Sequence, residues 1–491
     1  MIWSSIHNPY FYTKIEAMNN AEFRTWAHQL ADRMADYYEN IETYPVKSNV
    51  KPGEIIAQLP DAPPADSEDM SQIISDFERI IMPGITHWQS PNFFAYFPAN
   101  GSYPSILAEM LTASLGVQGM VWDTSPAAAE LEETVMNWLK TMCGLPTNWE
   151  GVIQDTASTS TLVAILSARE KLSNYGINEN GFENSSKLRV YCSTEAHSSV
   201  EKAVKIAGIG RKNLVKIATD VQYRMNPDML HKAITDDIAA GLFPLCVVAA
   251  LGTTGCTSID PLGKIASICE EYKIWLHVDA AYAGSALLLP EYRWMIEGIE
   301  KADSFVFNPH KWMFTNFDCS AYFVKDKEAL IRTFEILPEY LKTASRGLVN
   351  DYRDWGIQLG RRFRALKLWF VIRSFGVTQL QEKIREHIIM AHWLEHEVID
   401  DRNFEIMAPV PLSMVCFRYR PACIVGTENL NRVNEDLLRK LNASGKIFLT
   451  HTKLNGQYTL RMSIGGTLTT QQHVEKAWDL IREIAKGCNG I

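Results

Sequence analysis

From about residue 102 to residue 364 the chain alternates short β-rich runs with helical patterns. The runs are Leu188 to Cys192, Leu214 to Ile217, Leu245 to Leu251, Ile274 to Asp279, Ser304 to Phe307 and Ala321 to Val324. Several are apolar on both faces, as strands covered by helices on both sides must be. That pattern predicts an α/β domain over 102–364 around a mostly parallel central sheet. Ahead of it, Phe23, Trp26, Leu30, Met34, Tyr37 and Ile41 fall on one helical face, and Pro-punctuated helices follow up to Pro98. No core precedes that face in sequence, so residues 1–101 read as a helical appendage that must lie on a later domain or on a second subunit. Residues 365–491 predict a small α+β domain. It has one long helix, strands at Ser413 to Tyr419, Lys446 to Thr450 and Tyr458 to Ser463, and a turn at Asn455-Gly456. A closing helix follows Thr469, with Gln472 completing a capping box.

Composition removes several classes of function. With 491 residues, 46% hydrophobic and 21% charged, the chain is globular material for two or three domains. A net charge of -9, without a basic block, offers no field for nucleic acid or an anionic membrane surface. The N-terminus lacks a basic region followed by an apolar run, and the longest apolar stretch, Leu245 to Leu251, is far below membrane-spanning length. A cytoplasmic protein is expected. The nine cysteines are odd in number and scattered, with no C-x-x-C pair and no Cys/His spacing suited to zinc, so they read as reduced thiols and no metal is expected.

Three segments carry chemistry. The apolar run Ile274-Trp-Leu-His-Val-Asp279 stops on a carboxylate, where open α/β sheets place their ligands, although such an aspartate can also cap the next helix. Ser304-Phe-Val-Phe-Asn-Pro-His-Lys311 ends a second run in a polar cluster with a lysine; a lone lysine there is ordinarily a solvated turn residue, but a desolvated amine can form a Schiff base with an aldehyde cofactor. Ile153-Gln-Asp-Thr156-Ala157-Ser158-Thr159-Ser160-Thr161 supplies small hydroxyl residues where an apolar strand gives way to a helix expected near Leu162, which suits a phosphate cup at a helix N-terminus, although by itself it can also be a plain N-cap. A carboxylate to keep a ring nitrogen protonated, a lysine for the aldehyde carbon and a cup for phosphate are what pyridoxal phosphate (PLP) demands.

The chain resembles the group II PLP-dependent decarboxylases, specifically the aromatic-L-amino-acid decarboxylases, over nearly its whole length. The resemblance is carried by Asn92-Phe-Phe-Ala-Tyr-Phe-Pro98, Ser125-Pro-Ala-Ala-Ala-Glu-Leu-Glu132, Ala196-His-Ser-Ser-Val-Glu201, Leu251-Gly-Thr-Thr254, His277-Val-Asp-Ala-Ala-Tyr-Ala-Gly-Ser285, Phe307-Asn-Pro-His-Lys-Trp312 and Leu359-Gly-Arg-Arg-Phe-Arg364. It implies the PLP-dependent transferase fold of type I, assembled as a homodimer with shared active sites, which gives the N-terminal helices their partner surface. By the same resemblance Lys311 is the Schiff-base lysine, Asp279 pairs with the pyridine nitrogen and His197 stacks on the ring. Thr156, Ala157, Ser158 and Asn308 hold the phosphate, Thr254 and Ala281 line the ring, and His310 is an active-site neighbour. Tyr340, in a loop between about Glu335 and Asn350, is the acid that protonates the product carbon. Trp88, Tyr96, Phe97 and Pro98 line the substrate pocket, with Gln118 and Met120 entering from the second subunit. Gly360, where some relatives carry a bulkier residue, leaves room for an indole.

The implied reaction is loss of the α-carboxylate from an aromatic amino acid (tryptophan, tyrosine, phenylalanine or a hydroxylated relative) to give the amine. Ala99, in place of a threonine expected near the substrate carboxylate, and Gln118 and Met120, where bulkier apolar residues are usual, bear on substrate identity and leave the reaction type untouched. The alternatives are a decarboxylase of a non-aromatic acid such as glutamate, or an aromatic aldehyde synthase of the same family. The aromatic run from Trp88 to Tyr103 argues against the first; His197 and Tyr340 argue against the second. A transaminase would need a group such as Arg461 to hold the carboxylate in the ring plane, and Arg461 reads as structural. A PLP-fold binding protein without catalysis is opposed by Lys311, Asp279 and His197 standing together.

Overall fold

The computed structural model describes residues 18–182, 187–336 and 348–488. They form two compact units, dividing between His87 and Trp88. In the first, helix Asn20–Glu39 begins with a full capping box in which Asn19 accepts from the N–H of Glu22 and the Glu22 carboxylate answers the N–H of Asn19. No residue of this helix is buried, and Phe23 and Leu30 lie open to solvent on its apolar face. The core of this unit is small, built around Ile41, Val46, Ile74 and Ile80.

The second unit begins earlier than the sequence boundary after residue 101. Phe93 bridges Phe448, the Phe94 N–H donates to the Phe448 carbonyl, and Ser463 N–H donates to the Phe94 carbonyl. Residues 88–101 are thereby sewn into the C-terminal sheet. The unit contains a seven-stranded sheet of β1 (Glu150–Gln154), β2 (Leu188–Ser193), β3 (Leu214–Ile217), β4 (Phe243–Ala250), β5 (Trp275–Asp279), β6 (Ser304–Phe307) and β7 (Ser320–Val324), in the order β1-β7-β6-β5-β4-β2-β3. The pairs β3-β2, β2-β4, β4-β5 and β5-β6 are parallel, and β7 alone runs against the rest. The central strands are buried along almost their full length, β6 and β7 completely, which is why they read as continuous apolar runs rather than alternating ones. A second, four-stranded antiparallel sheet holds β8 (Phe404–Ile406), β9 (Met414–Tyr419), β10 (Thr450–Leu454) and β11 (Gln457–Ser463), in the order β10-β11-β9-β8.

Four local expectations move. The helix expected near Leu162 starts at Ala157, because Thr156 already caps it through the Thr159 N–H. The strand placed at 446–450 runs instead over Thr450–Leu454, since Phe448 is engaged by residues 93 and 94. It turns into β11 through Asn455 and Gly456, whose φ of 50° and 77° suit a two-residue hairpin. The cap of the closing helix is Thr470 with His473, one residue beyond Thr469 and Gln472. The long helix Arg364–Asp400 is two helical stretches meeting at Gly376, whose φ of 65° breaks the repeat. Eight of the nine cysteines are buried and none is bridged, and no group suited to a metal ion occurs among the described residues. No helix there is long and apolar enough to cross a membrane.

Candidate active site

A cavity of about 260 Å3 opens at the carboxyl ends of the parallel strands, the edge where sheets of this type bind ligands. Strand β5 delivers Asp279, fixed as the Ala281 N–H donates to its Oδ1 at 3.0 Å. Strand β4 delivers the excursion 250–260, which carries Gly252, Thr253 and Thr254 to the cavity. The buried Asp260 closes its base, accepting from the N–H groups of Ala250 (2.8 Å) and Met225 (2.7 Å). Gly252 has φ 81°, and a Cβ there would stand 2.8 Å from the Ala283 Cβ, so the excursion can lie this close only with glycine.

Strand β6 leads through Asn308 into the short helix Pro309–Trp312, which carries His310 and Lys311. Asn308 N–H donates to the Ala281 carbonyl, joining the two strand ends, and Lys311 N–H donates to the Asn308 carbonyl. Behind Lys311 the buried Asn100 uses its whole amide. Nδ2 donates to the carbonyls of Lys311 (2.6 Å) and Gly465 (2.7 Å), and Oδ1 accepts from the N–H and hydroxyl of Thr467. The lysine backbone is therefore clamped to the turn that follows β11.

Both histidines present a defined tautomer. The Cys319 N–H donates to His310 Nδ1 at 2.9 Å and the Ser199 N–H to His197 Nδ1 at 3.2 Å. A backbone N–H can only donate, so each neutral ring carries its proton on Nε2. Burial lowers the pKa of both, that of His310 to about 3 with Lys311 adding to the effect. Burial also lowers the pKa of the Lys311 amine, with Asp279 opposing and Arg461 reinforcing. A lysine brought toward the neutral form is suited to covalent chemistry.

Lys311, Asp279, His197, His310, Asn308, Thr156, Ala157, Ser158, Thr254 and Ala281 all line this one cavity, joined by Phe97. Thr253, Tyr282 and Phe317 line it too and were not singled out from sequence; the first two sit inside the quoted motifs. These groups fit pyridoxal phosphate. The 16-residue helix Ala157–Leu172 directs its free N–H groups at the cavity beside Thr156 and Ser158, an anion site that needs no counter-charge. The Ser320 hydroxyl occupies Asn308 Oδ1 at 2.7 Å, so the donor end of that amide is the part left for a phosphate.

Other expected pocket residues lie elsewhere in the chain. Trp88 stacks on Tyr96 at 5.6 Å as part of an aromatic group that also takes in Phe93, with Trp88 38% and Tyr96 50% exposed. Pro98 packs against Gly465. Gln118 and Gly360 are neighbours, since a Cβ on Gly360 would stand 3.4 Å from Gln118 Oε1, and the Met120 carbonyl accepts from the Arg353 N–H. None of these lines the Lys311 cavity. Tyr340 lies outside the described residues.

Comparison with known proteins gives the arrangement a family. Residues 52–420 match the pyridoxal-dependent decarboxylase conserved domain. Tyrosine decarboxylase 3 of Petroselinum crispum is 45% identical over 477 residues, covering 94% of this chain and 92% of the relative. A phenylacetaldehyde synthase of Arabidopsis thaliana is also 45% identical, over 96% of this chain and 97% of the relative. The crystal structure of Catharanthus roseus tryptophan decarboxylase in complex with L-tryptophan superposes with a TM-score of 0.91 at 41% identity, covering 96% of this chain and all of that one. With three quarters of its length matched and the amine, carboxylate and phosphate cup on one cavity wall, the chain belongs to the pyridoxal-dependent decarboxylases.

Proposed function

We propose that this cavity removes the α-carboxylate from an aromatic L-amino acid, giving the arylalkylamine and carbon dioxide. The observation that carries the reading is the wall itself. Lys311 is the only cationic side chain lining it among the described residues, and Phe97 and Tyr282 supply its apolar surface. A substrate with a second carboxylate would meet no further cationic side chain on that wall, and burying its charge there would cost several kcal/mol. The relatives agree: those named above carry the names tyrosine decarboxylase, tryptophan decarboxylase and phenylacetaldehyde synthase.

Bound pyridoxal phosphate supplies an aldehyde that links to amines and a ring that accepts the electron pair left when the bond to the carboxylate breaks. The chain's residues do the rest. Lys311 Nζ would hold the aldehyde carbon, and Asp279 would hold a proton on the ring nitrogen, which keeps the ring electron-poor. The first N–H groups of helix Ala157–Leu172, with Thr156, Ser158 and Asn308, hold the phosphate. Thr254 and Ala281 line the ring. His197 would stack on its face, and His310, with its proton on Nε2, stands beside Lys311 on the cavity wall. Tyr340 Oη gives a proton to the substrate Cα, which favours amine over the aldehyde that a synthase would release.

The active unit is a cytoplasmic homodimer. A second copy covers the apolar face of helix Asn20–Glu39 and brings Gln118, Met120 and Gly360 to its partner's cavity, where Trp88, Tyr96, Phe97 and Pro98 complete the substrate side.

The test is a panel of amino acids assayed for amine, aldehyde and carbon dioxide together. Amine equal to carbon dioxide, from aromatic substrates and with glutamate far behind, is expected. Glutamate exceeding tryptophan, tyrosine and phenylalanine in kcat/KM overturns the substrate class, and aldehyde in place of amine overturns the product.

A further inference from the structure

Arg461, in β11, has no carboxylate partner among the described residues. It is 4% exposed, and every hydrogen bond of its guanidinium goes to a neutral atom. Nε donates to the Gly255 carbonyl at 3.1 Å, Nη1 to Thr450 Oγ1 at 2.9 Å, and Nη2 to Met414 Sδ at 3.0 Å and the Tyr96 carbonyl at 3.5 Å. The titratable groups acting on it are Cys416, Cys256 and Tyr282, none of them a carboxylate. A buried charge left unpaired costs several kcal/mol, and such arrangements concentrate at functional sites.

The position of this charge shows what it acts on. The Arg461 guanidinium lies 5.6 Å from the centre of the Phe97 ring, and Lys311 Nζ lies 5.3 Å from the same ring. Phe97 is held there by stacking on Tyr282 at 4.0 Å, and Tyr282 stacks in turn on Trp312 at 4.6 Å. Two cations thus share one buried aromatic ring, in an interior where their repulsion is little screened. The groups facing Lys311 are Asp279 from β5 and Arg461 from β11, with His310 beside it and His197 across the cavity. Both histidines are uncharged at neutral pH, since burial lowers their pKa values. Burial does most to lower the pKa of the amine; Asp279 draws a proton back to it, and among the described residues Arg461 is the charged group that adds to the effect of burial.

Capture of the cofactor requires the free amine. The Nζ lone pair forms the carbon–nitrogen bond to the aldehyde carbon, the carbonyl oxygen leaves as water, and an ammonium has no lone pair to give. We propose that Arg461 is a positioning residue for this step: its uncompensated guanidinium, held against Phe97, keeps Lys311 as a free amine ready to take the aldehyde carbon. The inference rests on Lys311 being the covalent anchor.

The experiment uses full-length apoenzyme mixed with pyridoxal phosphate, following the absorbance of the covalent link by stopped flow across a pH series. Arg461→Gln keeps hydrogen-bonding capacity and removes the charge; Arg461→Met removes both; Arg461→Lys restores the charge. Without the guanidinium the amine holds its proton to higher pH. Capture by Arg461→Gln at neutral pH should therefore slow about tenfold for each unit the midpoint moves, and recover to the wild-type rate in alkali. Arg461→Lys should keep the wild-type midpoint. A loss of the same factor at every pH, or an unmoved midpoint in both charge-free variants, overturns the proposal. Borohydride reduction of each sample separates the two readings. An adduct on Lys311 with an unmoved profile sinks the role of Arg461 alone, whereas an adduct elsewhere sinks the reading of Lys311 on which it rests.

Discussion

The cavity wall around Asp279 and Lys311 and the aromatic group around Trp88 belong to the same unit, yet they are held in different ways. On the wall, main-chain groups fix the side chains or the segments that bear them. Ala281 N–H fixes Asp279, Cys319 N–H fixes His310, Ser199 N–H fixes His197, and Asn100 pins the Lys311 carbonyl. The rings of the aromatic group rest on one another, Trp88 on Phe93 at 4.4 Å and on Tyr96 at 5.6 Å, and Trp88 and Tyr96 leave apolar faces in solvent. The groups that fix this wall all come from one chain. An exposed aromatic group suits a surface that something else covers.

The largest effects should come from the wall. Lys311→Ala should abolish the reducible link to the cofactor and bring amine release below detection; residual turnover near wild type would mean the wall is not where the chemistry lies. Asp279→Asn should leave phosphate binding intact, measurable by equilibrium dialysis, while kcat falls by about a hundred- to a thousandfold. A drop in affinity with kcat unchanged would break the division of labour between the carboxylate and the phosphate cup.

The wall should also respond to acid before the aromatic group does. His310 and His277 are held neutral by burial, at about 3 and about 4. An unfolded chain would protonate both near their ordinary value of about 6.5. Their folded values lie below the unfolded one, so between these values the unfolded state binds more protons. Stability is therefore full above about pH 6.5 and is lost as pH falls toward 4. Each histidine should cost about 2 kcal/mol at about pH 5, seen as a lower urea midpoint that His277→Gln partly restores. A midpoint that holds constant from neutrality to about pH 5 contradicts this.

Smaller effects belong to the exposed side. Trp88→Ala should leave the fold and its cofactor band unchanged while weakening self-association about tenfold or more, read by sedimentation; unchanged association would show that no second copy covers the ring. Gly360→Ala should be the mildest. Among the described residues its new Cβ meets only Gln118 Oε1, at 3.4 Å, so stability should move by less than about 0.5 kcal/mol. The tryptophan-to-tyrosine ratio in kcat/KM should fall by no more than about tenfold.

The same contrast sets what the sequence could tell. Strands β4 to β7 were legible because burial on both faces writes itself as an unbroken apolar run, and Asp279 and Lys311 were legible because such runs stop on them. Strand β10 was misplaced by a contact 355 residues away in sequence, Phe93 with Phe448, that no local pattern records. Asn100 escaped, and Arg461 read only as structural, for a related reason: what distinguishes them is a set of partners, the Lys311 and Gly465 carbonyls for one and Phe97 for the other, that only the folded chain assembles. The three-residue β8 is too short to show a period.

The central claim is that one lysine among the chain's many carries the cofactor. Purified holoenzyme reduced with borohydride, digested and mapped by mass spectrometry tests it directly. The account predicts one pyridoxyl group per chain, on the peptide containing Asn308-Pro309-His310-Lys311; a pyridoxyl group on any other lysine, or none on this peptide, contradicts it.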